Sequence, residues 1–312
     1  MIKEDVLNLV DVSLEINKAK ILYDITLSIK KASIFGIIGS SGSGKTSLMR
    51  TMIGFYRHTN GKIIVDGKEE IKGNDLRRLF GFCTQENSFY QELTLLEYLY
   101  YFGELLNVPK KELEERCEKL LRMVELWNFR NLRAENLSGG MKRRFDLALS
   151  VIHNPKILIL DEPTTGLDSL LRQKIWLMIK MIQSQGVTVI LSSHLLDEID
   201  YLCDRVCILK QGTIYGIDSP RHIKNLYSSN KQISIESFPS NYRKLKEALE
   251  SMNVSIINPQ VDKGNFIFNT DDSNLVLTHL KTALKESNER LLSFKIERPD
   301  LSKILQSIII RK

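Results

Sequence analysis

Three continuous apolar runs, SIFGIIG (33–39), KILIL (156–160) and VTVILSS (187–193), constrain the fold of this 312-residue chain more tightly than any other feature. A strand with one face in water alternates apolar and polar residues, whereas a continuous run suits a central strand covered on both faces. Helical patterns follow each run, which predicts an α/β domain with a parallel sheet. Ligands of such sheets sit at the carboxyl ends of the strands. Each run here ends in a chemically loaded loop: GSSGSGKTS follows the first, Asp161 and Glu162 the second, His194 the third.

Other segments read differently. LNLVDVSLEI (7–16) and ITLSI (25–29) alternate, as half-exposed antiparallel strands do. From about 86 to 155 the pattern turns helical: Thr94 and Glu97 make a capping box, Tyr98, Leu99, Phe102, Leu105 and Leu106 keep helical spacing, and Pro109 separates them from KKELEERCEKLLRMVELW. This is expected to be an inserted helical lobe. After GTIYGIDSP (212–220) the loaded motifs cease. The remainder predicts strand 231–237, helix 240–252, strands 254–258 and 264–269, helix 273–286, strand 290–297 and helix 299–310. That βαββαβ order is ferredoxin-like. The expected domains are therefore 1–225, with a helical subdomain at about 86–155, and a small α+β domain at 226–312.

Composition, 43% hydrophobic and 26% charged, is that of a soluble globular protein. The net charge of +6 is carried by scattered Lys and Arg, so a solvated surface is expected rather than nucleic-acid binding; an acidic membrane surface or a permease loop explains it equally cheaply. The basic run Lys142, Arg143, Arg144 is likewise expected on a solvated face. Four Cys do not make a disulfide framework in a chain this long, and Cys203 and Cys207 are expected as buried reduced thiols. MIKEDVLNLV lacks the apolar core of a signal peptide, and no apolar run approaches the ~20 residues of a membrane span. A cytosolic chain is expected, with any membrane role supplied by another polypeptide.

The loop chemistry is specific. Gly39 to Thr46 fits G-x-x-x-x-G-K-[ST] between a buried strand and a helix. Gly39, Ser40, Ser41, Gly42, Ser43 and Gly44 wrap the phosphates of a nucleotide such as ATP, and Ser47 opens the helix behind them. Lys45 brings positive charge to the β and γ groups, and the Thr46 hydroxyl is placed for Mg²⁺. Two carboxylates at the end of a buried strand serve no purpose of stability. Asp161 is expected to hold Mg²⁺ through water and Glu162 to polarise the attacking water. His194, in this company, is read as a γ-phosphate contact; His58, His153, His222 and His279 have no such context. A second Gly-rich turn, Ser138, Gly139 and Gly140 in NLSGGMKRR, also opens a helix and has the same anion-binding physics.

Over about residues 5–220 these motifs, in this order with Gln85 and the GLD of 166–168, resemble the ATPase subunits of ABC transporters. The resemblance implies a P-loop ATPase domain with a mixed sheet, an antiparallel β subdomain and a helical lobe. It implies Mg²⁺ coordination by Thr46 and Gln85, Glu162 as general base, His194 as a switch on γ-phosphate, and Asp168 as a reporter between subunits. Each Ser138–Gly140 turn would cap ATP held by the other subunit's Lys45, which implies a head-to-tail dimer. Whether the partner is a second copy or a paralogue stays open. Ile16 stands where the family usually stacks an aromatic residue on adenine, and Tyr23 is out of register for it. Met141 makes LSGGMKRR resemble the exporter branch, and the tail resembles the C-terminal extension of that branch. The implied partner is a separate transmembrane permease, reached from the cytoplasmic face of the membrane. Phe89, Tyr90 and the aromatics from Tyr98 to Phe102 are read either as a groove for that permease or as core. The rival readings are an importer ATPase and a soluble ATPase acting on nucleic acid or ribosomes.

Overall fold

The computed structural model describes residues 4–69, 74–84, 92–227, 231–262 and 264–297. Two compact units divide between Ser219 and Pro220. The first begins with β1 (Asp5–Ile16), β2 (Ala19–Lys30), β3 (Ile34–Ile38), α1 (Lys45–Met52), β4 (Asn60–Val65), β5 (Lys68–Glu69), α2 (Asn74–Leu79) and β6 (Phe80–Cys83). The helical lobe follows as α3 (Leu95–Leu105), α4 (Lys110–Met123) and α5 (Gly139–Ser150). The chain then returns through β7 (Ile157–Asp161), α6 (Ser169–Ser184), β8 (Thr188–Ser192), α7 (Leu196–Leu202), β9 (Arg205–Lys210) and β10 (Thr213–Asp218).

The apolar runs become β3, β7 and β8, and every residue of these strands is buried. They lie side by side in a sheet ordered β10-β9-β3-β8-β7-β6, parallel except at the β10 edge. Burial on both faces explains why these runs do not alternate. A second sheet, β2-β1-β4-β5, is antiparallel. Its first hairpin is longer than the alternation predicts: Asn17 and Lys18 take φ of 51° and 64°, so Ile16 pairs with Ala19 across a two-residue turn. Both positive φ values match the twist that favours such turns.

In the lobe, the Thr94 hydroxyl accepts from the Glu97 amide (3.3 Å) while the Thr94 amide donates to the Glu97 carboxylate (2.9 Å), forming both halves of the capping box. Tyr98 is core: it is buried, stacked on Phe102 at 5.2 Å and edge-on to Phe145 at 5.6 Å. Phe89 and Tyr90 lie outside the described residues.

The second unit runs α8 (Pro220–Tyr227), β11 (Lys231–Phe238), α9 (Tyr242–Ser251), β12 (Ile257–Asp262), β13 (Asn265–Thr270), α10 (Ser273–Glu286) and β14 (Arg290–Glu297). Its sheet order, β12-β13-β11-β14, is that of the ferredoxin-like fold. Ile233, Ile235, Phe266 and Phe268 from the sheet meet Leu245, Leu249, Val276 and Leu280 from the helices in its own core. The boundary falls before 225 because α8 groups with this unit. β12 starts later than the expected 254: Asn253 turns left-handed (φ 60°) and the Val254 amide closes the end of α9 on the Leu249 carbonyl. Those residues finish a helix and are unavailable to the strand. The expected helix 299–310 lies outside the described residues.

All four cysteines are free and buried. Burial pushes the Cys207 thiol up to about 12 and that of Cys117 to about 11, and raises Cys83 and Cys203 as well. Only the thiolate reacts with disulfide reagents. The folded protein at about pH 8 is therefore expected to resist labelling that goes to completion in guanidinium; rapid labelling of the native chain would contradict this burial.

Candidate functional site

β3 delivers the chain into the loop Gly39–Gly44, and Gly44, at φ 102°, opens α1 without any side-chain cap. The first amides of α1 are thus left for an anion. Gly39 admits no side chain, because a Cβ there would lie 2.3 Å from the Leu209 carbonyl and 2.5 Å from the Ser43 hydroxyl. The Ser43 hydroxyl is itself buried without a hydrogen-bond partner, as expected of a cradle that awaits an acceptor. Lys45 folds back on its loop, donating to the carbonyls of Gly39 (3.0 Å) and Ser40 (3.1 Å). Burial lowers its pKa, against the opposing pull of Glu162 and Asp161.

β7 and β8 run in parallel with Asp161 beside Ser192. Asp161 is buried, and its carboxylate accepts from Ser192 Oγ (2.6 Å) and from Thr46 Oγ1 (2.9 Å). The Ser192 hydroxyl also accepts from the Glu162 amide (3.0 Å). Glu162 leaves the strand at φ 48°, and its Oε2 receives the Thr165 hydroxyl at 2.9 Å and lies 3.2 Å from Nδ1 of the half-exposed His194. Lys45, Thr46, Asp161, Glu162 and His194 thus converge at the carboxyl ends of β3, β7 and β8. Ser192 and Thr165 belong to this network and were not singled out in the sequence; the serine pair closing VTVILSS was the available signal. Gln85 lies outside the described residues.

The second glycine turn is elsewhere on the chain surface. Ser138 caps α5 through its hydroxyl, which accepts from the Met141 amide at 3.3 Å. A Cβ on Gly139 would meet open space, whereas one on Gly140 would lie 2.7 Å from Leu171 of α6. Asp168 is exposed and caps α6 by accepting from the Leu171 amide (2.9 Å). Ile16 is half-buried at the end of β1, packed on the core of the first unit. Tyr23 lies 39% exposed beneath the Lys20 ammonium, and its amide donates to Gly212, whose own amide donates to Ser43 of the phosphate loop.

One expectation is overturned. Arg143 and Arg144 are not on a solvated face: their side chains are 7% and 13% exposed. Arg144 donates to the Val124 carbonyl (2.8 Å), and Arg143 donates to the carbonyls of Thr84, Asp161, Glu162 and Pro163. Backbone carbonyls receive these charges, together with the carboxylates of Glu125 beside Arg144 (3.3 Å) and Asp146 beside Arg143 (3.7 Å).

A metal fits this donor set. Among the described residues no cluster of three or more His, Cys, Asp or Glu could hold an ion by itself. Mg²⁺ does not need one, since it takes few protein oxygens and keeps waters and phosphate oxygens. Thr46 and Asp161, already 2.9 Å apart, are hard oxygen donors of that kind.

Residues 22–165 match the ABC transporter family. The chain is 31% identical over 306 residues to ABC transporter G family member 23 of Dictyostelium discoideum, an alignment covering 96% of this chain and 42% of that protein. It is 32% identical to the phospholipid-transporting ATPase ABCA3 of Mus musculus, covering 72% of this chain and 13% of that one. The chain thus spans less than half the length of these relatives. Among solved structures, the ATP-binding subunit of an ABC transporter superposes with a TM-score of 0.66 at 26% identity, over 71% of this chain and 93% of the other. A dimeric ATP-binding cassette in a post-hydrolysis state with ADP and Pi superposes at 0.62 and 25%, over 68% and 98%. A phosphate loop, its paired carboxylates and a second glycine turn, found together with these similarities, place the chain in the ABC transporter family, with an ABC-type ATPase domain in its first unit.

Proposed function

We propose that this chain binds and hydrolyses ATP as one of two head-to-tail ATPase subunits that drive a transmembrane permease. The observation that carries this reading is the convergence of the Thr46–Asp161 and Glu162–His194 pairs at the mouth of the central sheet. The phosphates lie against the amides of Gly39–Gly44 and Ser47. Lys45 exchanges the Gly39 and Ser40 carbonyls for phosphate oxygens, and the phosphate charge restores the protonated form that burial disfavours. Thr46 and Asp161, with Gln85, would hold Mg²⁺, which would supply positive charge against the phosphates. Glu162, oriented by Thr165 and His194, takes the proton of the attacking water while His194 senses γ-phosphate.

Ser138, Gly139 and Gly140 of the second subunit cap that phosphate, which the exposure of Ser138 and Gly139 permits, and Asp168 reports between subunits. Ile16 borders the adenine. Among the described residues no helix is long and apolar enough to cross a membrane. The resemblance of the ordered motifs to ABC transporter ATPase subunits supports a separate permease, reached from the cytoplasmic face of the membrane, as the partner. The resemblance of LSGGMKRR to the exporter branch supports export. The second unit, which begins at Pro220 rather than at the expected 226 of the 226–312 domain, acts as an accessory domain.

Gly39→Ala is expected to weaken ATP binding by roughly tenfold or more, about 1.4 kcal/mol, because its methyl group collides with the Leu209 carbonyl; titration with a fluorescent ATP analogue checks this. Glu162→Gln should lower turnover by about 10²–10⁴-fold while an ATP-dependent dimer accumulates in size-exclusion chromatography. Native turnover in that variant would remove Glu162 as the base. Ser138→Arg should leave ATP binding by the single subunit intact yet abolish the ATP-dependent dimer, and loss of monomer binding would count against a turn that acts across subunits.

A further inference from the structure

Arg143 stands one helical turn inside α5, beyond Gly139 and Gly140. An arginine usually keeps its guanidinium in water or against a carboxylate or phosphate. Here Nε donates to the Pro163 carbonyl (2.5 Å), Nη1 to that of Thr84 (2.6 Å), and Nη2 to those of Asp161 (3.1 Å) and Glu162 (2.9 Å). Asp146, one turn along the same helix, lies 3.7 Å away and balances the charge.

Carbonyls of successive strand residues point to opposite sides. Those of Asp161, Glu162 and Pro163 meet at one guanidinium because the chain turns at Glu162, where φ is 48°. A left-handed backbone is disfavoured for a residue with a long side chain, so it persists where its surroundings hold it. The guanidinium shares that hold with the Ser192 hydroxyl, which receives the Glu162 amide, and with the Thr165 amide, which donates to the Glu162 carbonyl. Thr84, another carbonyl partner among the described residues, follows β6 directly and precedes Gln85 in the sequence.

We infer that Arg143 is a positioning residue that aims the Glu162 carboxylate at the phosphate site and couples it to the helix opened by Ser138. It touches neither nucleotide nor metal and acts through the backbone of 161–163. A shift of α5, as when its N-terminus meets a nucleotide held by another subunit, moves the turn at Glu162 and Thr84, just past the end of β6, together. Closure between subunits is thereby converted into placement of the base. This rests on the proposed hydrolysis at Glu162 and adds how that residue is kept in place.

The test compares the whole chain with Arg143→Met and Arg143→Lys, the second keeping a charge and a donor in case the first fails to fold. Three quantities are read: affinity for a fluorescent ATP analogue, kcat for ATP, and amide hydrogen exchange in segments 80–84 and 157–165. Affinity should stay within about twofold, kcat should fall roughly 10²-fold for Met and less for Lys, and exchange in both segments should rise about tenfold or more. Unchanged kcat in a folded variant overturns the inference, and so does unchanged exchange. Parallel loss of affinity, kcat and melting temperature overturns it too, by marking Arg143 as a structural residue. Should Glu162→Gln keep native turnover, the base assignment fails by itself, and the exchange measurement still decides whether Arg143 holds the turn.

Discussion

The Asp161 carboxylate is the group around which the first unit is arranged. It is 4% exposed at the end of a strand covered on both faces, where an unsatisfied charge costs several kcal/mol. Two hydroxyls offset that cost, Ser192 from the neighbouring strand and Thr46 from the helix behind the phosphate loop. Charge-assisted bonds of this kind are short and stronger than neutral ones. Satisfying one carboxylate therefore brings the ends of β7 and β8 and the start of α1 to a common point. Glu162, one position beyond the end of β7, and His194, two beyond the end of β8, then come within 3.2 Å of each other.

Much of this was legible because it is written in local pattern. Continuous apolar runs marked the buried strands, the Thr94–Glu97 spacing marked the start of α3, and the expected bounds of α10 and β14 agree with those found. What escaped was conformation without a distinctive residue. Asn17-Lys18 forms a tight hairpin turn lacking the glycine that usually announces one. Asn253 ends α9 in the same left-handed region, and it delayed β12 beyond the strand expected at 254.

Arg143 escaped for a different reason. Charged side chains default to solvent, and Asp146 three positions on does not override that default, because i,i+3 pairs also form on exposed helix faces. The groups that receive its hydrogen bonds are main-chain carbonyls, some 18 to 20 positions along the chain at Asp161 and Pro163 and 59 positions back at Thr84. Carbonyls belong to every residue and carry no sequence signal. Only the turn at Glu162, itself invisible in sequence, bares them together.

The two glycine turns also differ in a way their sequences conceal. Gly44 leaves the N-terminus of α1 without a side-chain cap, so its amides await a ligand, and the buried, unpartnered Ser43 hydroxyl has the same requirement. α5 is capped by its own Ser138, whose hydroxyl already takes the Met141 amide. A helix end that satisfies one of its own donors is stable when uncovered. The proposed division of labour follows: α1 opens a permanent cradle that holds ATP within the subunit, whereas the end of α5 stands by itself and engages phosphate only when a second subunit presents it. Because Arg143 on that same helix grips the backbone around Glu162, the late-engaging turn is also the one connected to the base, and hydrolysis then waits for both turns to be filled.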